Sequence, residues 1–145
     1  MTSLDEFSIQ FRRRLAERWT CINPVPVSTE ELMKLRAAIP GVLPPFYVRF
    51  LEICGGGPAG NLFKTYHWSP NSRASRNTEL QLVTCEFSVS PPPNAFTFLD
   101  YTGDYFWGFN LDGSDNPPVW MFDLVEFKPF LPSLAEFLLT WEQLE

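Results

Sequence analysis

One histidine, three cysteines and a run of aspartates are the first residues of this chain to weigh as acids, bases, nucleophiles or metal ligands. His67 stands beside Trp68, with no cysteine or carboxylate at ligand spacing, so a typical zinc site is not expected. Its expected role is that of a polar residue at a strand end. Cys21, Cys54 and Cys85 are odd in number and widely spaced. They form neither a C-x-x-C pair nor a disulfide framework, and they read as reduced thiols that pack rather than react. No G-x-S-x-G, H-E-x-x-H or dinucleotide fingerprint is present. Gly55-Gly56-Gly57 follows an expected helix rather than a strand, and no Gly-Lys-Ser/Thr comes after it, so it is not a phosphate loop.

The aspartates need closer inspection, because paired carboxylates run glycosidases and hold metals. Asp100, Asp104, Asp112, Asp115 and Asp123 fall within one short stretch. Asp112-Gly113-Ser114-Asp115-Asn116 looks like a calcium loop only superficially: the glycine comes too early and the distal bidentate glutamate is missing. The same residue types build ordinary β-turns, and a turn is expected at 112–116. Interleaved with these carboxylates are Tyr101, Tyr105, Phe106, Trp107 and Phe109. Trp107 and Phe109 are expected in the core, while Tyr101 and Tyr105 stand between core and surface. Tyrosine beside aspartate suits a protein interface, where aromatic anchors carry most of the binding energy. The residues expected to meet a partner are Asp100, Tyr101, Asp104, Tyr105, Asp112 and Asp115. No catalytic group, metal or cofactor is expected.

Helices and strands must position these groups. Ser3 followed by Glu6 fits a capping box, and Leu4, Phe7, Phe11, Leu15 and Trp19 then recur at helical spacing. Arg12, Arg13, Arg14 and Arg18 lie mostly off that stripe and read as a solvated face. Ser28 with Glu31 repeats the box, and Leu32, Leu35 and Ile39 follow until Pro40-Gly41. Leu43-Pro44-Pro45 opens another helix, which the glycine run closes. From about residue 60 the pattern turns to strands: 62–66, about 79–87, 96–100, 105–111 and 119–122, with Phe127 near the sheet's end. Residues 69–78 read as a surface loop, and a hairpin is expected around Thr102-Gly103. Ser133 with Glu136 is the third box, opening a helix with Leu134, Phe137, Leu138 and Trp141 on its apolar face. Helices, then consecutive antiparallel strands, then a closing helix define an α+β fold with a mainly antiparallel sheet.

Bulk properties agree. The chain has 145 residues, 45% hydrophobic and 19% charged, and reads as one globular domain spanning residues 1–145. No basic segment precedes an apolar stretch and no apolar run reaches membrane-spanning length, so a cytoplasmic protein without membrane partners is expected. Charge is uneven. Residues 1–76 hold 10 basic and 6 acidic side chains, net +4, whereas residues 77–145 hold only Lys128 against 11 acidic side chains, net −10. A surface built from the second half repels nucleic acid and attracts basic proteins.

The order of these signals resembles the SUKH superfamily, the Smi–Knr-like proteins. Ser28 to Ile39 precede Leu43-Pro44-Pro45-Phe46-Tyr47, Phe50-Leu51 and the glycine stop, similar to that family's leucine-proline, tyrosine, phenylalanine-leucine, glycine-rich helix. Phe98-Leu99-Asp100, Gly103-Asp104-Tyr105-Phe106 and Pro118-Val119-Trp120 resemble its central hairpins, and Ser133 to Leu138 its closing helix. The likeness covers roughly residues 28–139. It implies an α+β fold and, in bacteria, an immunity protein that blocks a cognate protein toxin, often a nuclease. Some eukaryotic relatives are regulatory scaffolds, and the family carries no agreed catalytic motif. The readings set against immunity are such a scaffold, and a small-molecule binder or enzyme using His67 with nearby carboxylates.

Overall fold

The computed structural model describes residues 3–18, 26–37, 39, 41–54, 89–101 and 105–144. The expected strands at 62–66 and 79–87, the loop at 69–78, the Thr102-Gly103 turn, the glycine stop, and His67, Cys21, Cys85, Trp19 and Asp104 lie outside these residues. Among the described residues three helices come first: α1 (Leu4–Arg18), α2 (Thr29–Ala37) and α3 (Pro45–Cys54). Four strands follow: β1 (Ala95–Tyr101), β2 (Tyr105–Asn110), β3 (Val119–Phe122) and β4 (Phe127–Leu131). The closing helix is α4 (Leu134–Leu144). The strands form one antiparallel sheet in the order β1-β2-β3-β4, and the fold is α+β as the sequence implies.

All three capping serines act as expected. The Oγ atoms of Ser3, Ser28 and Ser133 accept the N–H groups of Glu6, Glu31 and Glu136 at 3.1, 3.1 and 3.2 Å. Each thereby satisfies a donor that the first helical turn leaves without an intrahelical partner. The apolar stripe of α1 is buried at Phe7, Phe11 and Leu15, while Arg12 and Arg13 are exposed. Helices α1 and α3 are joined by Arg49, whose guanidinium donates to Ser8 Oγ at 2.6 Å and lies 3.5 Å from the Glu52 carboxylate.

The sheet carries apolar side chains on both faces. Phe96, Phe98, Trp107 and Phe109 face the main core with α1, α3 and α4, where Tyr47 sits at the centre. The Tyr47 ring lies 5.2 Å from Phe96 and 5.4 Å from Phe109, both edge-on, and 6.2 Å from Phe98. A second cluster of Phe106, Trp120 and Phe122, with Val89, Ala95, Leu124 and Phe127 against it, occupies the other face. Trp107 and Phe109 are core residues, as their alternation on β2 predicts. A register shift between Thr97 and Leu99 gives β1 one extra residue, so Phe96, Phe98 and Leu99 all reach the main core.

The sequence pattern stops at Phe127, but a full fourth strand continues to Leu131 through Lys128 and Pro129. Proline lacks an N–H and is tolerated only where that donor faces outward. Among the described strands β4 pairs on one side only, with β3, so Pro129 fits there and discourages further strand addition.

The Cys54 thiol is buried and free of any disulfide. Burial pushes its pKa up to about 12, against a smaller opposing pull from Arg12. The thiolate is the reactive species, so this sulfur is expected to be inert. Native protein treated with iodoacetamide at pH 8 should show no modification of the Cys54 peptide by mass spectrometry, whereas urea-unfolded protein should be alkylated there fully. Rapid native labelling of that peptide would contradict the packing.

Candidate functional site

Strand register decides where the candidate residues stand. Tyr101 pairs with Tyr105, Phe106 with Phe122, and Phe122 with Phe127. The β1–β2 and β3–β4 connections therefore meet at one end of the sheet. The β2–β3 loop, 111–118, lies at the other end. β2 has six residues, and its five steps at ~3.3 Å separate the two ends by roughly 17 Å. Asp100, Tyr101 and Tyr105 fall at the hairpin end and Asp112 and Asp115 at the loop end; Asp104 lies outside the described residues. The structure thus brings the candidates into two groups rather than one.

At the hairpin end Tyr105 is exposed, and so is Val125, which keeps 73% of its surface in water. The β3–β4 turn that presents Val125 is held by Asp123. Its Oδ1 accepts the N–H groups of Val125 and Glu126 at 3.0 and 3.1 Å, and its Oδ2 meets Lys128 Nζ at 2.9 Å. The Lys128 hydrogen bond, then the two backbone donors, hold the Asp123 carboxyl at about 2, below its usual 3.8. The same contact raises the Lys128 ammonium, with a smaller push from nearby Tyr105. Leu124 sits at φ 75°, a conformation rare for a branched side chain, within this turn. Glu126 is exposed beside it.

At the loop end the aspartates serve the turn. Asp112 Oδ1 accepts the Ser114 N–H at 3.0 Å, and Gly113 takes φ 90°, where a side chain is disfavoured. The loop then caps two helices. The Asp115 carbonyl accepts the Phe46 N–H of α3 at 3.4 Å. The Pro117 carbonyl and Asn116 Oδ1 accept the Leu134 and Ala135 N–H groups of α4 at 2.8 and 2.9 Å. The exposed carboxylates of Glu6, Asp115 and Glu136 line a cleft of about 1090 Å³ where the N-termini of α1, α3 and α4 converge, a placement that complements the helix dipoles. Among the described residues no three histidine, cysteine or acidic side chains gather as a metal site would require.

Sequence reasoning passed over Val125, Glu126 and the cap formed by Asn116. The first two had a signal, since an aspartate directly after the apolar run Val119–Phe122 favours an Asx turn. Asn116 had none, because its partner Ala135 is distant in the chain.

The arrangement defines an α+β protein with exposed acidic residues at both ends of its sheet and the exposed Tyr105 at one of them. A family model describing the SMI1/KNR4 family (SUKH-1) matches residues 26–140, and the chain belongs to that family. The family is generally associated with immunity to polymorphic toxins, and its members are generally non-catalytic. The match leaves out α1, which nevertheless packs on α3 and α4. No curated protein matches the chain significantly. Among the described residues no helix is long and apolar enough to cross a membrane.

Proposed function

We propose that this chain is a bacterial immunity protein that acts in the cytoplasm by binding and neutralising a cognate protein toxin, possessing no catalytic group of its own. The observation that carries the reading, beside the family, is the hairpin end. There Tyr105 and Val125 are exposed next to Glu126 and the Asp100–Tyr101 strand end, in the half of the chain with net charge −10. Exposed apolar side chains in a half of the chain with excess negative charge, its one local cation Lys128 paired with Asp123, fit a basic partner: charge steers the encounter and the aromatic anchor closes it. Asp112 and Asp115 at the loop end extend the negative field that the partner meets. A basic nuclease is the toxin class that suits such a surface.

The test pairs capture with protection. The tagged chain should retain a toxin from the lysate of its own source and should restore growth to cells expressing that toxin. Asparagine at Asp100, Asp104, Asp112 and Asp115 together should leave thermal unfolding nearly unmoved. It should weaken toxin binding about 100-fold or more at low salt and flatten its salt dependence. Undiminished binding would remove these residues from the interface, and failure to protect against the captured protein would remove the immunity role.

A further inference from the structure

A groove runs along the sheet face of Trp120. Pro92, Pro118 and Pro129 form its walls, Trp120 and Phe127 its floor, and its volume is about 290 Å³. The two floor rings meet edge-on at 5.2 Å. The Trp120 Nε1–H donates to Asn110 Oδ1 at 3.0 Å, so the indole is locked in place; it is 7% exposed and shows the groove only a strip of ring, with no free donor. Among the described residues two charged side chains line the groove, Asp112 and Lys128. Lys128 is neutralised by Asp123 at 2.9 Å. Asp112 accepts one backbone N–H, and among the described residues no cation pairs with it. As the described residues build it, the groove is therefore a mostly apolar slot, lined by aromatic rings and prolines, with one carboxylate that no described cation neutralises.

We infer that this groove receives an arginine side chain of a protein partner, the guanidinium on Asp112 and the aliphatic stem along Trp120 and Phe127. This rests on the proposal that the chain binds a basic toxin, and gives that partner a chemical feature. Arginine fits better than lysine. Its planar cation is weakly hydrated and forks onto a carboxylate, whereas an ammonium keeps its water. The stem prefers an apolar wall. Three prolines make that wall stiff, so little order has to be imposed on binding. The volume lies at the low end for a small-molecule pocket but accommodates one long side chain.

The test titrates the whole chain, with nitrogen-15 in its indoles, using the blocked peptide acetyl-Gly-Arg-Gly-amide and its lysine and citrulline counterparts. The arginine peptide should shift the Trp120 indole N–H resonance saturably, and the neutral citrulline peptide should bind about tenfold more weakly or not at all. Asp112→Asn keeps an acceptor for the Ser114 turn but removes the charge, and should weaken the arginine peptide about tenfold. Pro129→Arg, which places a cation on the groove's own rim, should abolish binding. No shift of Trp120, an equal response to lysine, or an unchanged affinity in Asp112→Asn would overturn the proposal. So would full toxin binding by Asp112→Asn and Pro129→Arg, although the immunity reading would then stand. Conversely, a chain that binds the arginine peptide through Asp112 but protects against no toxin would sink the immunity reading alone.

Discussion

Replacing Gly108 with alanine is expected to destabilise the protein by about 3 kcal/mol or more, although it adds a single methyl group. Gly108 lies in β2 opposite Trp120 of β3, and the indole lies directly over it. A Cβ at that position would stand 2.5 and 2.6 Å from two ring carbons of Trp120 and would also press into the Phe96 carbonyl oxygen. The ring cannot swing aside freely, because its Nε1–H is held by Asn110 and its edge is packed on Phe127. The carbonyl belongs to the backbone of β1 and moves only if the β1–β2 ladder moves. Overpacking of this kind commonly costs about 1–3 kcal/mol, and two rigid neighbours place this site at or above the top of that range. Urea unfolding followed by tryptophan fluorescence measures it. The second variant to make is Trp120→Leu, alone and with Gly108→Ala. Removing the ring relieves one of the two clashes, so the glycine substitution should cost less in that background, a coupling a double-mutant cycle reads directly. A loss below about 1 kcal/mol for Gly108→Ala would show that the two strands yield more easily than close packing allows.

The second large effect is expected at Tyr47. It is fully buried on α3 and joins the helical layer to the sheet through ring contacts with Phe96, Phe98 and Phe109. Phe109 in turn stacks on Phe96 at 5.0 Å and on Phe98 at 5.7 Å, and Phe98 meets Phe137 of α4 edge-on at 5.1 Å. Truncation to alanine opens a cavity at the centre of this set, where the surrounding rings are too large and too mutually constrained to collapse. A cost of about 3–5 kcal/mol follows from the lost transfer energy and the cavity together. Tyr47→Phe retains the rings' contacts and should keep the larger part of the stability. Toxin protection in Tyr47→Ala should fall only with the folded fraction and return on cooling toward the temperature of maximum stability. The four-asparagine variant should lose protection with its unfolding temperature intact. Those two patterns separate a residue that holds the surface from residues that form it.

The hairpin end shows how stability and display are combined. The Asp123–Lys128 contact fastens the turn, and the turn lifts Val125 into solvent beside Tyr105. Lys128 is the only basic residue in positions 77–145, and this pairing leaves the second half's negative charge without a free local counterweight. The loop end serves two purposes of a different kind. Its backbone and Asn116 cap α3 and α4, while Asp112 reaches the groove floored by Trp120.

Much of this was legible in the residues alone because it depends on near neighbours. A serine and a glutamate three positions apart locate the start of a helix wherever the chain goes next, and Ser3, Ser28 and Ser133 all do so. Alternation along β2 likewise separates Trp107 and Phe109 from Phe106 without knowledge of the partner strands. The calcium-like run at Asp112 was readable as a turn for the same reason, since its hydrogen bond spans two residues. Register is not a local property. Asp112 is nearer to Tyr105 along the chain than Asp123 is, yet antiparallel pairing carries Asp112 to the far end of the sheet and brings the Asp123 turn back beside Tyr105. The same pairing sets Trp120 on Gly108 and assembles a groove from four separate segments. Composition and spacing determined which elements exist and that the second half is anionic. Only hydrogen bonding between distant strands decided which of those charges share a surface.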